Sequence, residues 1–574
     1  GDGPGQHPTQ ALLDLYTIQK ECGKIEGLKV AMVGDLRFGR TVHSLSFLLG
    51  LYPGVQFSFV SPRELAIPEK VTSFLKEKGL PFNEGADITE ALGCDVLYMT
   101  RIQEERFADH SEYERLKGSY RLTAEQVKKS KTIIMHPLPR LQEIATDVDE
   151  LPVAAYFRQA ANGVPVRMAL LSAGEGDARS AWGVALTLPQ LIDCHVHFRE
   201  PGFPEKATMK TESDAAHAGG VGTVCEMPNT NPPTVTVAAL ADKVRRANEI
   251  TNCDILFFFG ATEFAHLQAL RELWTGSIEE LQRLKKRCCG LKLYFDHSTG
   301  NQGAAHDVIE EAFAMCAELK IPIIAHCEDA EMNAVAFAKI DQSKIESHSA
   351  ARPPESEAKA ISDAIELVRD FGTQFHVAHI STVPGVQLVR DAKKEGLPVT
   401  CEVTPHHLFL SIDDYKTLGA FGKMNPPLRS SLHRDALWEG IQDGTVDCIS
   451  TDHAPHTLAE KRPASLAATP RSFSPLDTPS GVPGVETMLP LLLTVMFGGW
   501  PHPSSSKPKK AELTKKDIER LCFQNPNHIF RLGKTCQEKI TITDERWRIT
   551  AAELHSKCGW TPYEGWEVQG KVKY

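Results

Sequence analysis

Apolar runs of strand length alternate with helix-patterned stretches through the first 171 residues of the chain. Four such runs lie at residues 28–34, 55–60, 94–99 and 132–135. This alternation predicts an α/β domain with an open, doubly wound parallel sheet and helices on both faces. In such sheets, ligands bind at the carboxyl ends of the strands.

The same alternation continues through the longer second part of the chain, with amphipathic stretches such as 277–287, 306–319, 357–371 and 383–395 between the apolar runs. Eight candidate strands can be counted there, at 190–198, 221–227, 254–260, 290–295, 321–326, 374–379, 398–404 and 446–452. Eight βα repeats predict a (β/α)8 barrel, whose active site lies at the carboxyl ends of its strands.

Residues 172–187, rich in Gly, Ala and Ser without a clear period, predict a linker between the two domains. We therefore expect a first domain over 1–171 and a barrel over 188–535. Residues 540–550 alternate like a strand, so 536–574 predict a partial β-sandwich that flanks the barrel. The long, Pro- and Ser-containing stretch 457–481 is typical of an insertion.

Composition narrows the possible functions. The chain has 574 residues, 42% of them apolar, and a net charge of −11 without a basic stripe, which argues against a nucleic-acid partner. The chain contains no run of 18 or more apolar residues, so the sequence predicts no membrane span. The 14 cysteines form no CxxC pair, which is typical of reduced thiols in a cytoplasmic protein.

Ligand-type side chains recur at the carboxyl ends of the predicted barrel strands. His195 and His197 stand two residues apart, so both leave their strand on one face. The other strand ends carry Lys292, His326, His379 and Asp452. A lone histidine at a strand end is usually a polar side chain with ordinary hydrogen bonds. Four histidines, a lysine and an aspartate that converge on one rim of the barrel indicate a metal site instead. Imidazole and carboxylate ligands suit zinc.

The first domain also has polar residues at its predicted strand ends. Asp35 and Arg40 follow one strand, Arg101 and Gln103 another, and His136 a third. Taken alone, such arginines more often form surface ion pairs than bind ligands. The stretch GDLRFGR is neither a dinucleotide fingerprint nor a P-loop, so it does not indicate a nucleotide site.

The first 171 residues resemble aspartate carbamoyltransferase, through the segments GDGPGQHPTQALLDLYTI, VGDLRFGRTVHSL, YMTRIQEER and MHPLPR. These segments belong to the aspartate-binding half of that enzyme. The resemblance implies that His7 and Gln10 contact carbamoyl phosphate. It implies that aspartate is held by Arg40, Arg101 and Gln103 and by backbone carbonyls of Pro137 and Leu138.

The other half of that family, with its Ser-Thr-Arg-Thr phosphate loop, is not found in the sequence. We therefore expect an incomplete carbamoyltransferase portion, either as a fragment of a longer chain or as a non-catalytic relic.

Residues 188–574 resemble the amidohydrolase superfamily, and within it the dihydroorotase domain of the animal-type multifunctional pyrimidine-synthesis protein. The motifs are DCHVHFREPG, EMPNTNPP, GLKLY, CEVTPHHLFL, NPPLR, STDHAPH and GVPGVETMLPLLLT. Dihydroorotase and aspartate carbamoyltransferase catalyse successive steps of de novo pyrimidine biosynthesis. The small-molecule substrates implied are carbamoyl phosphate, L-aspartate, N-carbamoyl-L-aspartate and L-dihydroorotate.

The resemblance also implies the composition of the site. Two zinc ions would be bridged by carboxylated Lys292, one held with His195, His197 and Asp452, the other with His326 and His379. Asp452 would carry the proton between the attacking water and the departing nitrogen. Arg199, Asn229 and His456 would hold the substrate carboxylate, with Asn425 at the ring edge. For Glu402 and His407, support of these residues and simple packing remain alternatives.

Two other functions remain open on the sequence alone. A related cyclic amidohydrolase would act on hydantoins, dihydropyrimidines or allantoin, which lack the ring carboxylate that Arg199 would bind. A non-catalytic scaffold for pathway enzymes would fit the incomplete first domain but not the full set of metal ligands. Relatives of both parts are oligomers, so we expect a homo-oligomer.

Overall fold

In the computed structural model, the chain forms two compact units, Gly1–Trp182 and Gly183–Tyr574. The structure describes residues 6–102, 107, 110–173, 186–296, 303–462 and 474–574. The division falls inside the predicted linker, most of which lies outside these ranges, and the domain limits stay a prediction. No helix in the described ranges has the length and apolar character needed to cross a membrane.

Unit 1 is a five-stranded parallel sheet in the order β3-β2-β1-β4-β5. Its strands are β1 (Lys29–Val33), β2 (Gln56–Val60), β3 (Phe82–Gly85), β4 (Val96–Met99) and β5 (Ile133–Met135). Its helices are α1 (Pro8–Cys22), α2 (Arg40–Leu49), α3 (Glu69–Glu77), α4 (His110–Leu116), α5 (Ala124–Val127) and α6 (Tyr156–Ala173).

Both faces of this sheet are buried. Val30 and Met32 of β1 belong to one apolar cluster, whereas Ala31 and Val33 belong to another. Successive side chains of a strand point to opposite faces, so each face carries its own core. The doubly wound fold is confirmed.

Unit 2 contains eight consecutive parallel strands in sequence order. They are β7 (Leu191–Val196), β8 (Val221–Glu226), β9 (Asp254–Gly260), β10 (Cys288–Tyr294), β11 (Ile323–His326), β12 (Phe375–Val377), β13 (Val399–Val403) and β14 (Cys448–Ile449). The barrel closes where Val196 pairs with His453, just after β14. All eight predicted strands are present, which confirms the barrel.

Helices surround these strands. They are α7 (Met209–Ala218), α8 (Val237–Ala247), α9 (Phe264–Thr275), α10 (Glu279–Lys285), α11 (His306–Leu319), α12 (Ala330–Phe337), α13 (Ser347–Ala351), α14 (Pro354–Phe371), α15 (Val383–Lys394), α16 (Pro405–Phe409), α17 (Tyr415–Leu418), α18 (Ser431–Gln442), α19 (Leu458–Lys461), α20 (Met488–Met496), α21 (Lys515–Glu519) and α22 (Asn525–Ile529). Their ends follow local chemistry: α14 begins on a proline and ends at Gly372 in the left-handed conformation.

A three-stranded antiparallel sheet flanks the barrel, in the order β16-β15-β6. It joins β6 (Leu186–Pro189) to β15 (Lys539–Arg548) and β16 (Glu567–Lys573). The sequence placed residues 186–189 at the end of the linker and the start of the barrel, but they pair with β15 instead. Of the predicted insertion 457–481, residues 463–473 lie outside the described residues.

Candidate metal centre and substrate site

The barrel brings all six predicted metal ligands to one rim. His195 lies in β7 and His197 directly after it, Lys292 in β10, His326 at the end of β11, His379 shortly after β12 and Asp452 shortly after β14. Every one of these side chains is buried. A single cavity is lined by all six, together with Arg199, Asn229, Tyr294, Asn425, Ala454, Ser480 and Gly481.

His195, His197 and Asp452 form the tightest group, with one ligand atom of each within 4.8 Å of the others. Nε2 of His197 lies 3.0 Å from Oδ1 of Asp452, and Nε2 of His195 lies 3.4 Å from it. Nδ1 of His195 contacts Glu402, and Nδ1 of His197 lies 2.6 Å from Oδ1 of Asn229. When each Nδ1–H donates to its oxygen, both Nε2 lone pairs face Asp452, as metal ligands require.

His326 and His379 form a second pair of nitrogen donors. Nδ1 of His326 lies 3.1 Å from Nε2 of His379. Nε2 of His326 lies 2.7 Å from Oε2 of Glu328, and Glu328 is itself held by Arg352. A proton on Nε2 of His326 is donated to this carboxylate, so its Nδ1 lone pair points into the cavity.

Lys292 lines the same cavity as these two groups, and its amine lacks a hydrogen bond within the described part of the chain. The side chain is 1% exposed, and among the described residues no hydrogen-bond partner reaches its Nζ. Burial lowers the pKa of Lys292 to about 8, although Glu402 and Asp452 oppose the shift. A buried amine that loses its proton so readily, beside four imidazoles and a carboxylate, fits a metal centre better than a packed core.

The backbone is strained at three of the residues that line this cavity. Arg199, His379 and Asp452 have φ values of 66°, 35° and 45°, a region that residues other than glycine rarely adopt. Each such residue costs about 1–3 kcal/mol and persists only when the surroundings hold it in place. In unit 1, the predicted ligand Leu138 is strained in the same way, with a φ of 50°.

Arg199 is buried and points into the cavity. Its Nε donates to the carbonyl of Pro455 at 3.0 Å, and its NH2 lies 3.0 Å from Nε2 of His456. Lys206 donates to Nδ1 of His456 at 3.2 Å, so the proton of this histidine is on Nε2, facing the carbonyl of Ser480. Nε2 then cannot accept from Arg199, and that edge of the guanidinium is available to an anion.

The two predicted asparagines also line the cavity, but each already has a partner. Asn229 accepts from His197, and Oδ1 of Asn425 lies 3.0 Å from Nε2 of His348. His407 supports the loop that carries Asn425. Its Nδ1 contacts Thr404 at 2.8 Å and its Nε2 donates to the carbonyl of Pro426 at 3.1 Å. It therefore fixes the backbone beside Asn425 rather than contacting the cavity.

Sequence reasoning missed several residues of this site. Tyr294 lies two residues after Lys292 on the same strand, and its hydroxyl is buried without a hydrogen-bond partner among the described residues. The sequence did carry a signal for Tyr294, because residues two apart in a strand point to the same face, and Lys292 was already predicted to face the site. Lys206, Ser480 and Gly481 carried no such signal, because only the folded loops bring them to the site.

Among the described residues, the predicted aspartate ligands of unit 1 lie at adjacent strand ends. Arg40 begins α2, Arg101 follows β4, and Pro137 and Leu138 follow β5. Nδ1 of His7 accepts from the backbone N–H of Gln10 at 3.3 Å and so caps α1. The side chain of Gln10 turns inward and donates to Asp14 at 2.9 Å. Gln103 lies outside the described residues.

One further charged residue was missed in unit 1. Burial, followed by the charges of Arg40 and Arg167, lowers the pKa of His7. The Arg167 guanidinium on α6 therefore belongs to the electrostatic environment of the predicted carbamoyl-phosphate ligands.

A (β/α)8 barrel with a buried His/His/Asp cluster at the carboxyl ends of its strands is an arrangement typical of metal-dependent hydrolases of the barrel type. The family model described as "Amidohydrolase family" matches residues 186–481. The chain belongs to this family. Residues 26–173 match a second family model, "Aspartate/ornithine carbamoyltransferase, Asp/Orn binding domain".

Curated relatives agree with both assignments. A dihydroorotase from Halobacterium salinarum is 38% identical over 387 residues, which cover 66% of this chain and 82% of the relative. The aspartate carbamoyltransferase catalytic subunit of Methanocaldococcus jannaschii is 55% identical over 172 residues, 30% of this chain and 56% of the relative. The chain thus spans about half the length of the carbamoyltransferase subunits that it matches. Both predicted resemblances are confirmed.

Among solved structures, L-hydantoinase from Arthrobacter aurescens matches with a TM-score of 0.60 and 24% identity, over 68% of this chain and 83% of the other. At this identity the match supports the barrel fold alone.

Proposed function

We propose that unit 2 catalyses the reversible cyclisation of N-carbamoyl-L-aspartate to L-dihydroorotate. The observation that carries this proposal is the position of Arg199, a buried guanidinium on the wall of the cavity that also holds the six metal-type ligands. A guanidinium in such a place suits a substrate carboxylate close to the reacting group. The dihydroorotase relative, matched over 82% of its length, supports the same substrate.

We further propose that the centre holds two zinc ions. One would be bound by His195, His197 and Asp452, the other by His326 and His379, with carboxylated Lys292 shared between them. The lowered pKa of Lys292 supports this role, because a neutral amine reacts with CO2 whereas an ammonium does not. Bound zinc would polarise the substrate carbonyl and lower the pKa of water.

Asp452 is the residue that we propose moves the proton. Burial opposes its ionisation, but the neighbouring His195 and His197 outweigh burial and hold the pKa of Asp452 below its usual range. Its carboxylate is therefore available to accept a proton from the attacking water in ring opening. It would then give that proton to the departing ring nitrogen, and the two transfers reverse in ring closure.

Arg199 would hold the carboxylate that does not react. The bond from its Nε to the carbonyl of Pro455 fixes the position of Arg199 before substrate arrives and leaves the edge beside His456 to the carboxylate. Pre-positioned charge lowers the entropy cost of orienting a small, flexible substrate such as carbamoyl aspartate. Tyr294 and Asn229 line the same cavity and would complete the contact with the ring.

Unit 1 is proposed to be the aspartate-binding part of an aspartate carbamoyltransferase. Arg40, Arg101 and Gln103 would bind aspartate, and His7 and Gln10 carbamoyl phosphate. The transferase product, N-carbamoyl-L-aspartate, is the substrate proposed for unit 2, so the two parts would serve consecutive steps of pyrimidine biosynthesis. Because the chain spans about half of its transferase relatives, this activity is proposed for the complete enzyme only. A homo-oligomer is proposed for the chain as a whole.

Metal dependence tests the proposed centre. The full chain is treated with a chelator, dialysed, and assayed for ring closure of N-carbamoyl-L-aspartate before and after addition of zinc. We expect activity to vanish and then return as zinc binding approaches two ions per chain. Full activity in protein shown by elemental analysis to be metal-free would refute the proposal.

A further inference from the structure

The loop of residues 452–456 carries both Asp452 and His456, and it is held from the side that faces away from the cavity. The strained φ of 45° at Asp452 persists only if residues around it keep it there. His453 lies between the two, is buried, and is not one of the residues that line the cavity. Its backbone carbonyl accepts from the N–H of His197 at 2.7 Å. A movement of His453 would therefore displace two proposed metal ligands together.

The ring of His453 is fixed by hydrogen bonds at both of its nitrogens. Its Nδ1 accepts from the backbone N–H groups of Gly484 at 3.0 Å and Val485 at 3.3 Å. Because a backbone N–H can only donate, Nδ1 carries the lone pair and the proton is on Nε2. Nε2 donates this proton to Oε2 of Glu212 at 2.7 Å. The ring therefore has one tautomer and one orientation.

Glu212, on helix α7, is fully buried and is surrounded by donors. The hydroxyl of Ser556 donates to its Oε2 at 2.6 Å, and the hydroxyl of Thr211 and the backbone N–H of Lys557 donate to its Oε1 at 2.8 Å and 3.1 Å. Burial would raise the pKa of Glu212, but His453, Ser556 and Thr211 outweigh burial, and the net pKa lies below its usual range. This carboxylate is thus a rigid link between His453 and the part of the chain that contains Ser556 and Lys557.

Ser556 and Lys557 belong to the connecting segment, residues 549–566, which joins β15 to β16 of the flanking sheet. This segment contacts the loop a second time, because Nε1 of Trp560 donates to the backbone carbonyl of His456 at 2.7 Å. The Trp560 ring is buried and packs edge-on against Phe421, with ring centroids 4.9 Å apart. The connecting segment therefore holds the loop near both ends, at His453 through Glu212 and at His456 through Trp560.

We propose that the connecting segment positions the loop 452–456 for the reaction, so that the flanking sheet contributes to turnover without contacting substrate. This inference rests on the roles proposed for Asp452 and His456. Glu212 and Ser556 would fix the direction of the Asp452 carboxylate and hence kcat. Trp560 would fix His456 beside Arg199 and hence KM. The three residues are positioning residues, since none of them lines the cavity.

Hydrogen exchange in the metal-free full chain tests the positioning independently of the reaction. In Glu212→Gln, either orientation of the new amide turns its NH2 toward an N–H donor, that of His453 or that of Lys557. We expect the peptide that contains residues 452–457 to exchange roughly tenfold faster than in wild type, while peptides of β9 and β11 are unchanged.

Asp414→Asn is the matched control, because it alters a carboxylate that contacts His502 at 2.8 Å in another part of unit 2. It should leave exchange of the loop as in wild type. Should Glu212→Gln not fold, Ser556→Ala removes one donor of the same link and should change exchange in the same direction. Wild-type exchange of the loop in the folded variants would overturn the proposal.

Kinetics at saturating zinc test the two contacts separately. A misplacement of about 1 Å can slow a reaction about 100-fold, so Glu212→Gln should lower kcat for dihydroorotate roughly tenfold or more and leave KM within about twofold. Trp560→Phe keeps an aromatic ring but loses the bond to His456, and it should raise KM roughly fivefold with kcat little changed.

Trp547→Phe is the matched control for Trp560→Phe, because it loses an indole bond to the carbonyl of Gly570 at 3.0 Å within the flanking sheet. It should change neither kcat nor KM. An equal rise of KM in this control, or wild-type kinetics in both Glu212→Gln and Trp560→Phe, would contradict the proposal. If the wild-type chain turns over neither carbamoyl aspartate nor dihydroorotate, the proposed function fails, and the exchange measurement still decides whether the connecting segment positions the loop.

Discussion

Nδ1 of His195 contacts the buried carboxylate of Glu402, so that Nε2 of the same ring is turned toward Asp452. Glu402 also accepts from the backbone N–H of His379 at 3.2 Å and from Cys194 at 3.4 Å. Burial raises the pKa of Glu402, but His195 outweighs this effect, and the net pKa lies well below its usual range. One carboxylate therefore orients two of the proposed zinc ligands.

Replacing Glu402 with Gln should weaken metal binding without removing any ligand. Loss of the charge on the outer side of a ligating histidine typically lowers metal affinity 10–100-fold. We expect a zinc dissociation constant raised by this factor, with most of the turnover restored at high zinc concentration. Unchanged zinc affinity would show that Glu402 only fills space.

The proposed two-zinc centre depends on Lys292, whose carboxylated side chain would be a ligand of both ions. Lys292→Ala should abolish turnover and lower bound zinc, and added short carboxylic acids should restore part of both, because they supply the missing oxygen atoms. Lys292→Arg should stay inactive, since a guanidinium cannot be carboxylated. Full activity of the Arg variant would contradict the proposed role.

Arg199 should affect substrate binding and leave the metal in place. Arg199→Met removes a charge-assisted contact worth about 1.5–3 kcal/mol, so kcat/KM for dihydroorotate should fall roughly 10- to 150-fold, mainly through KM. Bound zinc, measured by elemental analysis, should equal that of wild type. Arg245→Met, on the exposed surface of α8, is the matched control and should change neither quantity. Loss of zinc from the Arg199 variant would mean that this residue supports the metal centre instead.

The contribution of Asp14 to the stability of unit 1 should fall as the pH rises from about 4 to about 7. Burial raises the pKa of Asp14 to about 7, although Tyr98, Gln159 and Gln10 oppose the shift. Between the unfolded and folded pKa values the unfolded chain releases a proton that the folded chain retains, so unfolding becomes easier with each pH unit. Above about pH 7 both states are ionised and the loss is complete.

Asp14→Asn removes this ionisation. Between pH 5 and pH 8, the stability of the variant relative to wild type should rise by about 3 kcal/mol, measured by denaturant unfolding followed in unit 1. The exposed Glu77→Gln should leave the pH dependence of wild type unchanged. A constant difference between Asp14→Asn and wild type over this range would contradict the assignment.

The barrel and the convergence of the candidate metal ligands on one rim could be predicted because they follow local rules. Strand ends of a parallel barrel meet at one rim, so His195, Lys292 and Asp452 could be brought together from their positions alone. The edge strand β3 was missed, since its sequence FNEG contains one large apolar residue and its burial pattern does not alternate. The pairing of residues 186–189 with β15 joins positions about 350 residues apart, for which the sequence offers no local signal.

The substrate side of the site was less predictable. Whether Asn229 contacts substrate or His197, and which nitrogen of His456 carries the proton, depends on partners from separate loops. The positive φ values of Arg199, His379 and Asp452 likewise come from tertiary packing, because the residue types themselves disfavour that conformation.

The most direct test of the proposed function compares two rings that differ only in the carboxylate. Ring opening of L-dihydroorotate and of dihydrouracil is measured with the zinc-loaded full chain under identical conditions. If Arg199 holds the carboxylate while the metal centre opens the ring, kcat/KM for dihydroorotate should exceed that for dihydrouracil by at least 100-fold, and Arg199→Met should reduce this preference sharply. Equal or faster opening of dihydrouracil by the wild-type chain would assign the site to a different cyclic amide and contradict the proposal.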